Sequence, residues 1–261
     1  MIKDLREKYL KIQELSFCPG CGDGIFINCF LEAVEESKID FHKMVFVSGI
    51  GCAAWIPNPY FAAETIHTTH GRALAVATAI KIAKPHLKVV VISGDGDLST
   101  IGGNHLIHSA RRNVPITCFC LNNFIYGMTG GQAGATTPLG SVSSTTPDGN
   151  KDAPFDLIKL VLGAGGKFAS RWPLVYPRRA IKGIRNALEF GDKGFAFVEI
   201  VSPCPVQYGR RNSLKSPSRM LEWQKEKYVL RGKETKPCQI EYGEWGEDDL
   251  ILRGGEKCEK N

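Results

Sequence analysis

The stretch KVVVISGDGDLSTIGGNHLIHSARRNVPITCFCLNN, residues 88–123, decides the fold of this chain. An apolar run, Val89–Ile92, ends in the GDGD motif of residues 94–97, and a second apolar run, Ile116–Leu121, ends in two asparagines. A segment of helical character separates the two runs, so the stretch predicts a strand–turn–helix–strand unit. In an open parallel sheet the carboxyl ends of such strands lie side by side, which is where ligands bind.

The other apolar runs alternate with helical patterns in the same way. Further strands are predicted at Met44–Val47, Lys167–Arg171 and Phe195–Val201, and helices at Ile25–Ser37, Ala73–Lys84, Pro154–Leu162 and Arg178–Phe190. Such alternation is typical of a parallel sheet that is covered on both faces. The sequence therefore predicts an α/β fold with an open, mostly parallel sheet and helices on both faces.

Composition divides the chain into three segments. Residues 1–17 are predicted to form a helical lead-in and residues 18–209 the main domain, which includes a long polar loop at residues 126–153. Residues 210–261 hold 22 charged residues out of 52, against 38 of 209 before them. With few repeating apolar residues, this charged tail is expected to have no core of its own and to dock on a partner or be partly disordered.

The overall composition excludes several classes of protein. No apolar run is long enough to span a membrane, and the polar start of the chain lacks the apolar core of a signal peptide, so we expect a cytoplasmic protein. A net charge of +6 is too small and too evenly spread to indicate a nucleic-acid partner. Nine cysteines in this context favour metal or cluster ligation, or plain burial, over disulfides.

Asp95 and Asn123 stand at the ends of two successive predicted strands. The GDG and NN motifs resemble the signature of thiamine diphosphate enzymes, in which NN follows GDG at a similar distance. A carboxylate and an amide oxygen suit Mg²⁺, which usually shares its ligands with a diphosphate. Asp95, Asn123 and the carbonyl of Ile125 are therefore predicted to bind Mg²⁺, although an isolated Asp-Gly pair is also a common turn.

Residues around these ligands are predicted to bind the rest of the cofactor. Gly96 allows the backbone to come close to a phosphate, and the amides of residues 127–129 are able to form an anion-binding nest. His67 and His70 precede the predicted Ala73–Lys84 helix, whose start favours anions. His70 is therefore either a catalytic group near the reacting centre or one of a pair of hydrogen-bonded loop histidines. The predicted cofactor-binding residues are Gly51, Cys52, His70, Gly94, Asp95, Gly96, Asp97, Asn123, Ile125, Gly127, Met128 and Thr129.

Four cysteines are candidate ligands of a second centre. Cys18 and Cys21 form a tight CPGC pair, while Cys52 and Cys204 each follow a predicted strand at the edge that carries the GDG motif. Four thiolates suit either a structural Zn²⁺ or a [4Fe–4S] cluster, and one CxxC pair with two lone cysteines favours the cluster. The other cysteines are interpreted as buried thiols (Cys29, Cys118 and Cys120) or as thiols of open role in the tail (Cys238 and Cys258).

Together, these motifs resemble one family, the β subunit of the 2-oxoacid:ferredoxin oxidoreductases. The resemblance covers roughly residues 15–212 and is strongest to the branch that acts on 2-oxoglutarate. The motifs that carry it are Cys18-Pro-Gly-Cys21-Gly, Gly51-Cys52, His70-Gly-Arg72, Gly94-Asp-Gly-Asp97, Asn123-x-x-Tyr126-Gly-Met-Thr-Gly-Gly-Gln132, Thr136-Thr-Pro138 and Cys204-Pro-x-Gln-Tyr-Gly-Arg210.

The resemblance implies a thiamine diphosphate-binding fold and an oxidoreductase. Its reaction would be the decarboxylation of 2-oxoglutarate with coenzyme A to succinyl-CoA and CO₂, or the reverse, with electrons passed to ferredoxin. A [4Fe–4S] cluster on Cys18, Cys21, Cys52 and Cys204 would carry those electrons. In the family, the glutamate that contacts the aminopyrimidine ring comes from an α subunit, so we expect a heterodimer or a dimer of heterodimers.

Three alternatives remain open at this point. The same chemistry could act on pyruvate or on a branched-chain or aryl 2-oxoacid. The chain could instead be half of a non-redox thiamine diphosphate lyase, which needs no cysteine set. It could also be a zinc-stabilised scaffold subunit whose GDG loop binds nothing.

Overall fold

The computed structural model describes residues 2–236, 238–246 and 249. Its strands are β1 (Met44–Ser48), β2 (Glu64–His67), β3 (Lys88–Gly94), β4 (Thr117–Asn122), β5 (Ile125–Tyr126), β6 (Gln132–Ala133), β7 (Phe168–Pro173), β8 (Ala196–Val201), β9 (Tyr228–Leu230) and β10 (Ile240–Gly246). Its α-helices are α1 (Ile2–Tyr9), α2 (Gly22–Ser37), α3 (Ala73–Ala83), α4 (Gly103–Arg111), α5 (Leu157–Gly163), α6 (Pro177–Phe190) and α7 (Pro217–Lys227). Short 3₁₀ or π turns lie at Phe41–Lys43, Ala53–Trp55, Ile56–Tyr60, Gly96–Ile101 and Pro205–Gly209.

One sheet runs through the described residues in the order β2-β1-β3-β4-β8-β7-β10-β9. Neighbouring strands from β2 to β7 are parallel, whereas β10 pairs antiparallel with β7. The short strands β5 and β6 form a separate antiparallel ribbon. The predicted α/β fold with an open, mostly parallel sheet is confirmed.

Apolar layers cover both faces of the sheet. On one face α2 and α6 pack over the strands, and the rings of Phe26, Phe30 and Phe119 lie with their centroids 5.6–5.7 Å apart. On the other face α3, α4 and α5 pack against Val47, Val91 and other fully buried residues. Because each strand is buried on both sides, its apolar run is continuous rather than alternating.

The carboxyl ends of β1, β3, β4 and β8 lie next to one another in this sheet. Gly94 pairs with Leu121, and Asn122 pairs with Val201, so the chain leaves all these strands at the same edge. The residues that follow the four strands are therefore brought together, as the sequence predicts.

Some element boundaries differ from the predictions. α1 ends at Tyr9 rather than extending through the lead-in, and β2 was not predicted because Glu64, Ile66 and His67 are exposed at the sheet edge. The longest described helix, α2, has 16 residues, and no helix of the described residues is both long and apolar enough to cross a bilayer.

Part of the charged tail packs on the main domain, an arrangement that the sequence did not predict. Helix α7 and strands β9 and β10 lie within residues 210–246, and β10 extends the main sheet beside β7. The tail contains few apolar residues, but it buries them against the existing domain instead of building a core of its own. These residues are Leu214, Met220, Tyr228, Tyr242 and Trp245. Cys258 lies outside the described residues.

Candidate cofactor site

A cavity opens at the sheet edge where β1, β3 and β4 end. All twelve residues predicted to bind cofactor line it, together with Ile50, Ala53 and Tyr126. These residues come from separate parts of the chain and share only their position after parallel strands. The topology of the sheet therefore assembles the cavity.

Asp95 lies at the base of this cavity, directly after β3, and is 1% exposed. One carboxylate oxygen accepts a hydrogen bond from the backbone N–H of Asn123 at 3.4 Å, and the other accepts one from the hydroxyl of Thr136. Burial raises the pKa of the Asp95 carboxyl to about 7, although these bonds act in the opposite direction. A bound cation would stabilise the charged form of such a buried carboxylate.

The turn after β4 brings Asn123 against Asp95. The side-chain oxygen of Asn123 accepts a hydrogen bond from the backbone N–H of Ile125 at 3.1 Å, which closes a short Asx turn. Between them Phe124 has a φ of 68°, in the left-handed region that residues other than glycine rarely adopt. This tight reversal directs both Asn123 and Ile125 to the cavity wall.

Asp97 connects three loops around the cavity. Its carboxylate is 2% exposed and accepts hydrogen bonds from the backbone N–H groups of Ile50 at 3.1 Å and Gly71 at 2.7 Å. The hydroxyl of Ser93 donates to its second oxygen at 2.8 Å. His70 Nδ1 lies 2.6 Å from the first oxygen. Asp97 therefore fixes the imidazole of His70 rather than facing the cavity as a free acceptor.

The ring of His70 is held by a hydrogen bond at Nδ1 and by packing against a tyrosine ring. Because a carboxylate only accepts hydrogen bonds, Nδ1 carries the proton toward Asp97, which leaves Nε2 for a ligand in the cavity. The ring also packs edge-on against Tyr126, with centroids 6.0 Å apart. His67 has a different role, because its Nδ1 lies 3.1 Å from the hydroxyl of Ser48 at the sheet edge. Of the two histidines, His70 is the one that lines the cavity.

The four predicted ligand cysteines lie on one side of the cavity. Cys18 is exposed, whereas Cys21, Cys52 and Cys204 are partly buried, and all four are free thiols. Gly127 lies between the cavity wall and the sulfur atoms of Cys52 and Cys204. A β-carbon built on it would lie 3.7 Å from the amide nitrogen of Asn123, 3.7 Å from Cys52 Sγ and 3.8 Å from Cys204 Sγ. The two candidate centres therefore adjoin each other across a single glycine.

Cys21, Cys52 and Cys204 are partly buried beside a buried carboxylate, that of Asp23. Burial raises the pKa of Cys52 to about 12, and it raises the pKa values of Cys21 and Cys204 as well. Asp23 adds to the shift of Cys21; it is 1% exposed, and one of its oxygens has no hydrogen-bond partner. The raised pKa values of Cys21, Cys52 and Cys204 favour the protonated thiols, so metal binding there would release protons.

Several residues of the site were not predicted. Thr136 bonds to Asp95, and Asp23 lies beside the cysteines; their only sequence signals are the Thr136-Thr-Pro138 motif and the position of Asp23 two residues after Cys21. Arg211 donates to the backbone carbonyl of Gly130 at 3.0 Å, a contact without a local sequence signal. It therefore braces the loop after Gly127.

Comparisons with known proteins decide the family. Residues 48–200 match the C-terminal TPP-binding domain of thiamine pyrophosphate enzymes. The chain is 46% identical to the 2-oxoglutarate synthase subunit KorB of Methanothermobacter marburgensis over 238 residues, which are 90% of this chain and 82% of that protein. The chain belongs to the family of KorB-type β subunits of 2-oxoacid:ferredoxin oxidoreductases. The family predicted from the motifs is thereby confirmed.

Other KorB-type relatives agree with this assignment. The KorB subunit of Methanocaldococcus jannaschii is 46% identical over 224 residues, or 85% of this chain and 82% of that protein. Among solved structures, the 2-oxoglutarate:ferredoxin oxidoreductase of Magnetococcus marinus superposes with a TM-score of 0.80 at 29% identity, covering 95% of this chain and 88% of that chain. The chain is thus an oxidoreductase subunit with a thiamine pyrophosphate-binding domain.

Proposed function

We propose that this KorB-type subunit catalyses, with an α subunit, the reaction of 2-oxoglutarate, coenzyme A and two oxidised ferredoxins. The products are succinyl-CoA, CO₂, two reduced ferredoxins and a proton, and the reverse reaction uses the same site. The observation that carries the proposal is that Cys52 and Cys204 lie beside the wall of the GDG–NN cavity, at one edge of the sheet. That arrangement gives electrons a short path from the coenzyme to a cluster.

Asp95, Asn123 and the carbonyl of Ile125 are the proposed ligands of Mg²⁺. The residues fit the ion because the Asp95 carboxyl is buried directly after β3, and Asn123, whose backbone N–H donates to it, lines the same cavity. The backbone amides of Gly127, Met128 and Thr129 line the same cavity and are available to the diphosphate. When bound, thiamine diphosphate supplies the electron sink for decarboxylation, and the protein supplies its orientation.

Cys18, Cys21, Cys52 and Cys204 are the proposed ligands of a [4Fe–4S] cluster. Among the residues the structure describes, no three His, Cys, Asp or Glu side chains are close enough to hold a single metal ion. A compact zinc site is therefore disfavoured. In a cubane cluster each thiolate binds a different iron, so the ligands lie farther apart around a larger centre. Cys52 and Cys204 beside Gly127, together with the free thiols of Cys18 and Cys21, are proposed to surround that larger centre.

The α subunit is proposed to complete the active site. The carboxylates that line the cavity are Asp95 and Asp97, and both already accept hydrogen bonds from protein groups. Glu64, a nearby carboxylate in the sequence, is exposed on edge strand β2 and does not line the cavity. No carboxylate of the described cavity is therefore left for the aminopyrimidine ring.

Anaerobic co-purification with the α subunit tests the proposed function. The complex should reduce ferredoxin when 2-oxoglutarate and coenzyme A are both present, and the β subunit alone should not. A complex that prefers pyruvate or another 2-oxoacid would contradict the substrate, whereas CO₂ release without ferredoxin reduction would indicate a lyase. Robust turnover by the lone β subunit would contradict the shared site.

Replacing Gly127 with alanine should damage both centres while leaving the fold intact. The added β-carbon has only ordinary contacts at 3.7–3.8 Å in the chain itself, but it points into the space between Asn123 and the cysteines. We expect about a tenfold or greater loss of turnover with little change in melting temperature. Gly163→Ala is the matched control, because a β-carbon there meets nothing within 4 Å. Equal activity of the two variants would contradict this position for the cofactors.

Asp97→Asn should disturb His70 without removing it. The amide would still fill the space but could present its N–H to Nδ1, which favours the tautomer with the proton on Nε2. Because general acid–base catalysis is typically worth ~10²–10⁴-fold, we expect turnover to fall by about 10²-fold. Steady-state assays should show the loss mainly in kcat, with a changed pH profile. A normal profile in Asp97→Asn would contradict a proton-transfer role for His70.

Mg²⁺ binding should weaken as the pH falls below about 7. The Asp95 carboxyl has a pKa raised to about 7 without metal, so protons compete with the ion below that pH and not above it. We expect affinity to fall by up to about tenfold per pH unit in the acidic range and to level off at higher pH. Calorimetric titration of the α–β complex measures this, with free thiamine diphosphate as the control for protonation of the phosphate. A flat profile between about pH 6 and 8 would contradict the assignment of Asp95.

A further inference from the structure

A chain of buried polar groups runs behind the Asn123 turn. Arg171 Nε donates to one carboxylate oxygen of Glu199 at 2.7 Å, and the side-chain amide of Asn122 donates to the other at 2.7 Å. Arg171 is 6% exposed, Glu199 3% and Asn122 2%. The three groups come from β7, β8 and β4, which are neighbours in the sheet.

This series of buried polar groups ends at the backbone of the turn that carries Asn123. The side-chain oxygen of Asn122 accepts a hydrogen bond from the backbone N–H of Phe124 at 3.0 Å. With both ends of its amide engaged, the Asn122 side chain cannot rotate without breaking two buried hydrogen bonds. Phe124 is the residue with the left-handed φ of 68°, and the hydroxyl of Thr137 also donates to its carbonyl at 2.6 Å.

The Arg171–Glu199 ion pair is not needed merely to stabilise the fold. Burying two charges carries a desolvation penalty, and apolar residues of similar volume often stabilise a core equally well. A buried, fully bonded charge pair does fix geometry, because each group has one satisfactory arrangement. Here the fixed arrangement includes a backbone conformation that a phenylalanine does not adopt readily.

We propose that Glu199 and Arg171 are positioning residues for the metal site and act through Asn122. They hold the amide of Asn122 so that Phe124 keeps its left-handed conformation, and that conformation directs Asn123 and Ile125 to the cavity. This inference rests on the proposed Mg²⁺–diphosphate site. Groups that orient metal ligands through hydrogen bonds typically change metal affinity by ~10–100-fold when altered.

Asp156 provides a matched control on the same network. It accepts a hydrogen bond from Arg171 Nη2 at 2.7 Å, whereas Glu199 accepts from Arg171 Nε. Its side chain also caps α5 by accepting from the backbone N–H groups of Ile158 and Lys159. Because asparagine is an equally good cap, Asp156→Asn removes a charge from the network without touching the link to Asn122.

Mn²⁺ binding to the α–β complex is measured anaerobically in the presence of thiamine diphosphate. The electron paramagnetic resonance signal of free Mn²⁺ gives the amount of unbound ion. Glu199→Gln replaces one of the two buried acceptor oxygens with an NH₂ group. Asn122→Asp places a second carboxylate beside the carboxylate of Glu199. Each should weaken Mn²⁺ binding by about 10-fold or more, while Asp156→Asn changes it by less than about 3-fold. Melting temperatures of the three complexes show whether stability was altered in parallel.

Two outcomes would overturn the inference. The first is that both Glu199→Gln and Asn122→Asp bind Mn²⁺ with wild-type affinity. The second is that all three variants lose Mn²⁺ affinity equally and in proportion to the fall in their melting temperatures. If neither variant assembles, Arg171→Lys decides, because lysine keeps the charge but cannot form the two-sided guanidinium contacts. It should lose at least about 3-fold in Mn²⁺ affinity, and unchanged affinity would overturn the inference. A wild-type complex that binds no Mn²⁺ would instead contradict the proposed function itself.

Discussion

Replacing Asp95 with asparagine should reduce ferredoxin reduction by the α–β complex by about 10³-fold or more, since a catalytic metal is worth several kcal/mol and each 1.36 kcal/mol is about tenfold in rate. The substitution keeps the size of the side chain and an acceptor for Thr136, but it removes the Asp95 charge next to the proposed ion at the end of β3. Calorimetry should show a matching loss of Mg²⁺ and thiamine diphosphate binding.

The stability of this variant separates a lost ligand from a damaged fold. Burial raises the pKa of Asp95 to about 7, so in the absence of metal the charged carboxylate is unfavourable in the folded chain. Asp95→Asn should therefore melt at least as high as the wild-type protein near neutral pH without Mg²⁺. Asp152→Asn, on an exposed loop, is the control and should keep full activity. Near-normal turnover of Asp95→Asn would contradict its role as a metal ligand.

Cys204→Ser should have the second large effect. Loss of one thiolate ligand should lower the iron content from about four atoms per chain and abolish the electron path to ferredoxin. We expect ferredoxin reduction to fall to background in the α–β complex, with iron and acid-labile sulfide falling together. The thiol is partly buried, and serine fills nearly the same volume, so the domain should remain folded.

Two other cysteines give matched controls for Cys204. Cys238→Ser changes an exposed thiol in the tail, and Cys29→Ala changes a buried thiol within α2. Both variants should retain iron and activity. Full iron content in Cys204→Ser, or equal iron loss in Cys238→Ser, would contradict the proposed ligand set.

The parts of the site that sequence predicts are those that follow strands. Asp95, Asn123 and Cys204 each come directly after, or within three residues of, a continuous apolar run, and parallel topology places such positions at one edge. That rule needs no knowledge of side-chain contacts. It also explains why residues that follow β1, β3 and β4 line the same cavity.

The contacts that hold those residues were not predictable in the same way. Glu199 reaches Asn122 across 77 positions of sequence, and neither residue carries a local signal for the pairing. The same holds for the packing of Tyr242 and Trp245, whose apolar side chains are too sparse in a charged tail to reveal a core. Edge strand β2 was missed because its exposed residues lack a buried strand's continuous apolar run.

Paramagnetic relaxation between the coenzyme's metal and the cluster measures whether the two adjoin each other across Gly127. The α–β complex is reduced anaerobically with thiamine diphosphate and either Mg²⁺ or Mn²⁺, and the electron paramagnetic resonance signal of the reduced cluster is recorded. We expect a [4Fe–4S]⁺ signal that Mn²⁺ broadens strongly in the wild-type complex and broadens less in Asp95→Asn. A cluster signal that is the same with Mn²⁺ and Mg²⁺, or a complex with no cluster signal, would contradict that arrangement.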